Sequence, residues 1–132
     1  MSLGIVQRRL RAFRTDWVIA FDKRHIMDAP LWTILRELRT ELEALYADRF
    51  VDLILFGSQA RGNARPDSDI DVLIVLKPPV ESDTEICRIS LLTSELCLRY
   101  NVLISRLFMD ESRYLQRQSP LLRNIEREGI AV

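Results

Sequence analysis

The chain has 132 residues, 48% hydrophobic and 29% charged, with 19 Lys and Arg against 19 Asp and Glu. That length encloses one core and excludes two ordinary domains, and four Gly with five Pro exclude the fibrous and disordered classes. A net charge of zero argues against nucleic acid as a direct substrate. No apolar run approaches the roughly 20 residues that span a bilayer, and Arg8, Arg9, Arg11 and Arg14 interrupt what would be the apolar core of a signal peptide, so no membrane association and a cytoplasmic location are expected.

From Ile5 to Phe21 the residues Val6, Leu10, Phe13, Trp17 and the run Ile19 to Phe21 recur at helical spacing, with arginines on the opposite side. Residues 1–28 are therefore read as an N-terminal amphipathic helix extension, and 29–132 as the main domain. The apolar stripe of the extension is a candidate surface for a partner or for homo-oligomer formation, and packing against its own domain is the alternative. Asp28 suits an N-cap with Pro30 in the first turn, and Leu31, Ile34, Leu35, Leu38, Leu42 and Leu45 mark a second helix to about Ala47. Trp32 belongs in its core. His25 is the single histidine, which excludes a zinc site or a histidine-based nucleophile.

Residues 51–56 form a short apolar run suited to a strand buried on both faces. Gly57 and a short helix from about Ser58 follow, then the turn-prone GNARPDS and a second buried strand at 69–76. Ser82 or Asp83 caps a third long helix whose apolar face is Ile86, Ile89, Leu91, Leu92, Leu96 and Leu98. Cys87 and Cys97, ten residues apart on that helix, are about 15 Å apart along its axis, beyond disulfide reach, and are expected as buried thiols. Residues 101–109 make the third strand, a short helix spans about Glu111 to Gln118, and the last helix has Ser119 as cap, Pro120 first and Gly129 past its end. This alternation predicts an α/β (α+β) fold with a small sheet of at least three strands flanked by helices.

In the second strand, Asp69 and Asp71 stand at i and i+2 and share one face. Two carboxylates so close repel unless a cation lies between them, and a hard divalent ion removes the repulsion. A polar loop running into a strand would also write D-S-D-I-D, but Gly57-Ser58 closes the preceding strand with a glycine turn into a helix, an arrangement that suits phosphate oxygens. Magnesium with a nucleoside triphosphate fits both halves, and Arg61, with less claim Arg65, is a candidate for the same cleft. Gln59 is read as a helix-surface residue.

The pattern G-S-x10-D-x-D from Gly57 to Asp71, with ARG at 60–62 and SD at 68–69, resembles the minimal nucleotidyltransferases of the DNA polymerase beta superfamily. The resemblance covers about residues 35–132, including the closing REG at 127–129. It implies a mixed sheet flanked by helices, the nucleotidyltransferase fold, and transfer of a nucleoside monophosphate from an NTP, ATP before others, to a hydroxyl. Gly57, Ser58, Arg61 and Ser68 would then bind nucleotide, and Asp69 and Asp71 would ligate Mg2+. The family has a third carboxylate on the following strand, where this sequence places Asn101, which cannot take up a proton as a carboxylate does. That departure bears on catalysis more than on nucleotide binding. Asp110, the nearest downstream acid, is instead a helix N-cap. Small members of this family resemble antitoxins whose partner is a HEPN-domain RNase toxin, inactivated by AMP added to a tyrosine. The competing implication is a weakened nucleotidyltransferase fold that neutralises a partner by complex formation.

Overall fold

Helix α1, Ala29–Tyr46, opens the part of the chain that the computed structural model describes, residues 29–65 and 68–132. The N-terminal extension, with Trp17, His25 and the Asp28 cap, lies outside the described residues. Leu31, Ile34, Leu35, Leu38 and Leu42 point inward as their spacing requires. Leu45 does not: it is exposed, and Tyr46, four residues on from Leu42, takes the inward place. Trp32 is buried in the core, with the Arg36 guanidinium 5.9 Å from its ring centre.

A single 3-10 turn, Ala47–Arg49, leads to β1, Phe50–Phe56. Helix α2, Gly57–Arg61, and a loop join it to β2, Ile70–Leu76. Helix α3, Ser82–Tyr100, crosses over to β3, Ile104–Asp110. Helices α4, Glu111–Gln116, and α5, Pro120–Glu128, then deliver a two-residue strand β4, Ile130–Ala131. The sheet order is β3-β2-β1-β4, with β2 and β3 parallel and the other two pairs antiparallel. This is a mixed sheet, one strand larger than the three legible as apolar runs, because β4 is too short to show a pattern.

Helices α1 and α3 cover one face, where Leu38, Leu42, Leu53, Leu55, Val72, Ile74, Ile89 and Phe108 pack together. On the other face Ile54, Leu73, Val75, Met109 and Tyr114 pack with Leu122 and Ile125 of α5. Covering both faces explains why β1 and β2 read as continuous apolar runs. Each fully buried Leu or Ile here contributes on the order of 1.5–3 kcal/mol.

Helix α3 is phased differently from its apolar residues. Glu85, Ile89, Thr93 and Leu96 face inward, while Leu91, Leu98 and Cys87 face out. The two polar residues are buried because each has partners. Tyr46 Oη donates to Glu85 Oε1 at 2.8 Å, Arg49 and Arg88 each approach the same carboxylate at 3.4 Å, and Thr93 Oγ1 donates to the Ile89 carbonyl at 3.0 Å. The two thiols are free as expected, but Cys87 is exposed and Cys97 half-buried, contrary to the expectation of two buried thiols. At the other end of α3, Glu37 of α1 accepts from Arg99 at 2.8 Å and from Tyr100, so α1 and α3 run antiparallel.

The tail follows its punctuation. Asp110 Oδ1 accepts from the Arg113 backbone N-H at 2.8 Å as the cap of α4, and with Ser112 donating as well its carboxyl is held below the ordinary value. Ser119 caps α5 through the Leu122 N-H at 3.1 Å. No helix among the described residues is long and apolar enough to cross a membrane.

Asp52 on the interior strand β1 is 2% exposed. Its Oδ1 accepts from the Leu53 N-H at 2.9 Å and lies 3.9 Å from Arg39 Nη1, whose guanidinium also donates to the Val132 carbonyl. Burial pushes its carboxyl up to about 6 from the ordinary 3.8. Between those two values the folded protein holds the proton more tightly than the unfolded chain, so this group's contribution to stability falls as pH rises through that window and stays lost at neutral pH. Asp52→Asn is therefore expected to be more stable than the native chain at pH 7, by up to about 2–3 kcal/mol, with the difference vanishing below about pH 4; paired urea titrations across pH 4–7 measure it.

Candidate functional site

Strand β1 ends at Phe56, whose Cα partner across the antiparallel pair is Asp71. The next residue, Gly57, turns the chain with φ +75 into α2. A Cβ built on Gly57 would stand 2.4 Å from Asp71 Oδ2. Only glycine lets the turn and the carboxylate share this place. Helix α2 has no side-chain cap at its start, and Gly62, φ +79, ends it with its N-H on the Ser58 carbonyl at 3.0 Å.

The loop back to β2 is tied to α2. Ser68 Oγ accepts from the Arg65 N-H at 2.8 Å, and Gln59 Nε2 donates to the Ser68 carbonyl at 3.3 Å. Gln59 is thus a loop anchor and not a free surface residue. Ile70 then donates its N-H to the Leu103 carbonyl at 2.8 Å, which starts the parallel pairing with β3. Asp69 is exposed and Asp71 half-buried. Burial and the charge of Asp69 raise the Asp71 carboxyl above the ordinary range, while the Arg61 guanidinium draws it down.

Gly57, Ser58, Arg61, Ser68, Asp69 and Asp71 all come together at this end of the sheet, on sequence neighbours of one β-α-β hairpin. Asn101 is not a strand residue. It is the left-handed C-cap of α3, φ 54 and ψ 52, with its N-H on the Cys97 carbonyl; Val102 bonds the same carbonyl at 3.1 Å. Asn tolerates that conformation better than most residues. The turn delays β3 by three residues, and the residue in register with Asp71 is Ser105. Strand neighbours in register share a face, so Ser105 is the β3 residue on the face of Asp71.

Glu128, the middle residue of the closing REG, is a further residue to which the sequence reading gave no role. Its Oε2 lies 3.2 Å from Arg61 Nη1, linking the end of α5 to α2. Gly129 lets that end approach β1, since a Cβ there would stand 2.8 Å from Ile54 Cγ2. Only fold geometry pairs residues 67 positions apart.

Among the described residues no group of three His, Cys, Asp or Glu converges as a metal cage. What is present is a pair of carboxylates, one raised by burial and by the other's charge, beside a backbone turn without side-chain bulk. This donor set suits a hard cation that takes its remaining ligands from water and phosphate oxygens. Gly57→Ala is expected to destabilise the fold by about 1–2 kcal/mol from its positive φ alone, and further through the Asp71 contact. Gly62→Ala, with the same backbone sign and nothing within 4 Å, carries the backbone cost only, so thermal unfolding should show the larger fall in Tm for the position-57 variant.

Residues 35–130 match the nucleotidyltransferase domain family. Two proteins of Methanocaldococcus jannaschii, both provisionally named protein adenylyltransferases, are similar to this chain. One is 36% identical over 74 residues, 54% of this chain and 72% of its own length. The second is 32% identical over 96 residues, 72% of this chain and 90% of its own. Among solved structures, a provisionally named nucleotidyltransferase from Sulfolobus solfataricus superposes with a TM-score of 0.49 at 18% identity, over 85% of this chain and 84% of that one. A toxin-antitoxin structure with AMP-PNP does so with a TM-score of 0.49 at 17% identity, over 70% and 67%. With a family match running through nearly all of the described domain, and two relatives above 30% identity, this chain belongs to the nucleotidyltransferase family and is a transferase enzyme.

Proposed function

We propose that the Gly57 to Asp71 hairpin binds ATP with Mg2+, and that the enzyme transfers AMP to a hydroxyl of a protein. The observation that supports this reading is the close approach of the Gly57 turn to the Asp71 carboxylate, a side-chain-free backbone turn beside a carboxylate that could serve a cation. The names of the Methanocaldococcus jannaschii relatives support AMP as the group and a protein as the acceptor. A tyrosine of a HEPN-domain RNase toxin is the acceptor that the family resemblance suggests, in an antitoxin role and in the cytoplasm.

In this reading Asp69 and Asp71 hold Mg2+, which supplies charge neutralisation for the triphosphate. Gly57 and Ser58 bring backbone and hydroxyl to the phosphate oxygens, and Ser68 shapes the loop that Gln59 anchors. Arg61, oriented by Glu128, adds positive charge at the same edge. The acceptor oxygen forms a bond to the α-phosphorus, the bond from that phosphorus to the bridging oxygen breaks, and pyrophosphate leaves. Among the described residues the β3 position in register with Asp71 is held by Ser105 and not by a carboxylate, so the proton of the acceptor hydroxyl would pass to solvent. Transfer to a free hydroxyl should therefore be slow.

The same register favours one alternative, a weakened transferase that neutralises its partner chiefly by complex formation. Two measurements separate the readings. Calorimetry should detect Mg-ATP binding by the native chain and lose it in Asp69→Asn, Asp71→Asn; no binding by the native chain would refute the nucleotide site. Pyrophosphate release should then rise in Ser105→Asp by up to about 100-fold, the scale of general-base catalysis, and stay at the native rate in Asn101→Asp. Equal rates in all three chains would remove the missing base as the explanation.

A further inference from the structure

Strand β3 ends the sheet order, so among the described residues it has a neighbouring strand on one side only. The Ile70 N-H bonds the Leu103 carbonyl, and Ile70 is in register with Ile104. Parallel pairing in that register engages the backbone groups of the odd-numbered residues of β3 with β2, and turns those of Ile104, Arg106 and Phe108 to the open edge. Among the described residues the one group that reaches them is the Arg106 side chain, whose Nη1 is 3.5 Å from the Ile104 carbonyl, too long for a good hydrogen bond. Edges that stay bare in solution are short, bulged, or protected by Pro or Lys. This one is seven residues long, ISRLFMD, with no Pro, no Lys and no shift of register.

The charges on this edge are complementary to themselves. Arg106 and Asp110 are the two charged residues of β3, four positions apart, and positions of equal parity share a face with Phe108. Arg106 is half-buried, its Nε has no hydrogen-bond partner, and it forms no ion pair among the described residues. Laid antiparallel beside a second copy about a twofold axis at Phe108, the strand sets Arg106 opposite Asp110 of the second copy, and Asp110 opposite its Arg106. An axis at Arg106 would oppose two arginines, and one at Leu107 would leave Arg106 opposite a phenylalanine, so charge selects the axis at Phe108.

The helix above the edge agrees. Helix α1 packs on β1 and α3 on β3, and the two helices meet through Glu37 and Arg99. At 100° per residue, Ile86, Ser90 and Cys97 line the flank of α3 that faces away from Arg99 and hence toward the open edge. Ile86 and Cys97 are half-buried and Ser90 is exposed. Joining two edges brings two copies of α3 together on this flank, where Ser90 is small enough to let them approach.

We infer that β3 pairs antiparallel with β3 of a second copy about a twofold axis at Phe108, joining two sheets into one. The two Phe108 residues exchange backbone hydrogen bonds across the axis, and the Asp110 N-H of each copy donates to the Arg106 carbonyl of the other. The contact is isologous and closes at two copies.

Sedimentation equilibrium of the full chain should show a dimer. Arg106→Glu, which replaces both attractive pairs by repulsive ones, should raise its Kd by about 10- to 100-fold. Asp110→Asn keeps a capping side chain on α4 and should raise it by about 3- to 30-fold, with the circular dichroism unchanged in both variants. Mixing the Arg106→Glu chain with an Asp110→Lys chain should give a heterodimer tighter than either homodimer, because both cross-strand pairs are then of opposite sign. A monomeric native chain would overturn the inference. So would a dimer whose Kd is the same in Arg106→Glu and Asp110→Asn, which would put the second copy on another face. Two folded variants that form no heterodimer would overturn the register, and the inference with it.

Discussion

A side chain at position 57 would stand where the Asp71 carboxylate stands, and that exclusion holds the candidate site together. The Phe56-Asp71 register of the antiparallel pair brings the end of β1 against the start of β2. The positive φ of Gly57 then swings α2 over the carboxylate instead of into it. From this one approach the rest is placed: Asp69 just before β2 and near enough for its charge to act on Asp71, Ser105 across the parallel pair, and Arg61 at the end of α2 within reach of Glu128.

The rigidity of that arrangement comes from the sheet. Residues 72–76 of β2 are buried between two helical layers, so the strand cannot slip by one residue without turning its inward side chains to the wrong layer. Polar groups inside this frame are of two kinds. Glu85 is matched by Tyr46, Arg49 and Arg88 and ties α1 to α3. Asp52 is less well matched, with one backbone donor and an arginine at 3.9 Å, and its raised carboxyl value expresses that.

Much of this was legible in the sequence because the signals are local. The apolar runs of β1 and β2, the Ser119-Pro120 start of α5, the Asp110 cap and the Gly57 to Asp71 motif each lie within a few residues and were read at their observed places. The misreadings arose where distant partners decide. Leu91 and Leu98 look like core residues until Glu85 and Thr93 find buried partners that set the phase of α3. Leu45 gives way to Tyr46 for the same reason, since the tyrosine hydroxyl has Glu85 to bond. Asn101 counted as a strand residue because nothing nearby announces a left-handed cap without glycine. Ser105 and Glu128 could be placed only after strand pairing and helix docking were known, and β4 is too short to carry any pattern.

The parallel pairing of β2 with β3 has a consequence for the order in which these parts can form. Gly57 and Asp71 are joined by a short excursion, so closing their hairpin costs little loop entropy. Ser105 reaches Asp71 only after the nineteen-residue crossover of α3 is folded and docked, a contact of much longer range. The carboxylate pair and its glycine turn thus belong to the early, local half of the fold, and the Ser105 edge to the late, non-local half. Lesions in α3 should accordingly loosen that edge while the glycine-carboxylate cradle persists, which makes the two halves of one site separable by the stability of a single helix.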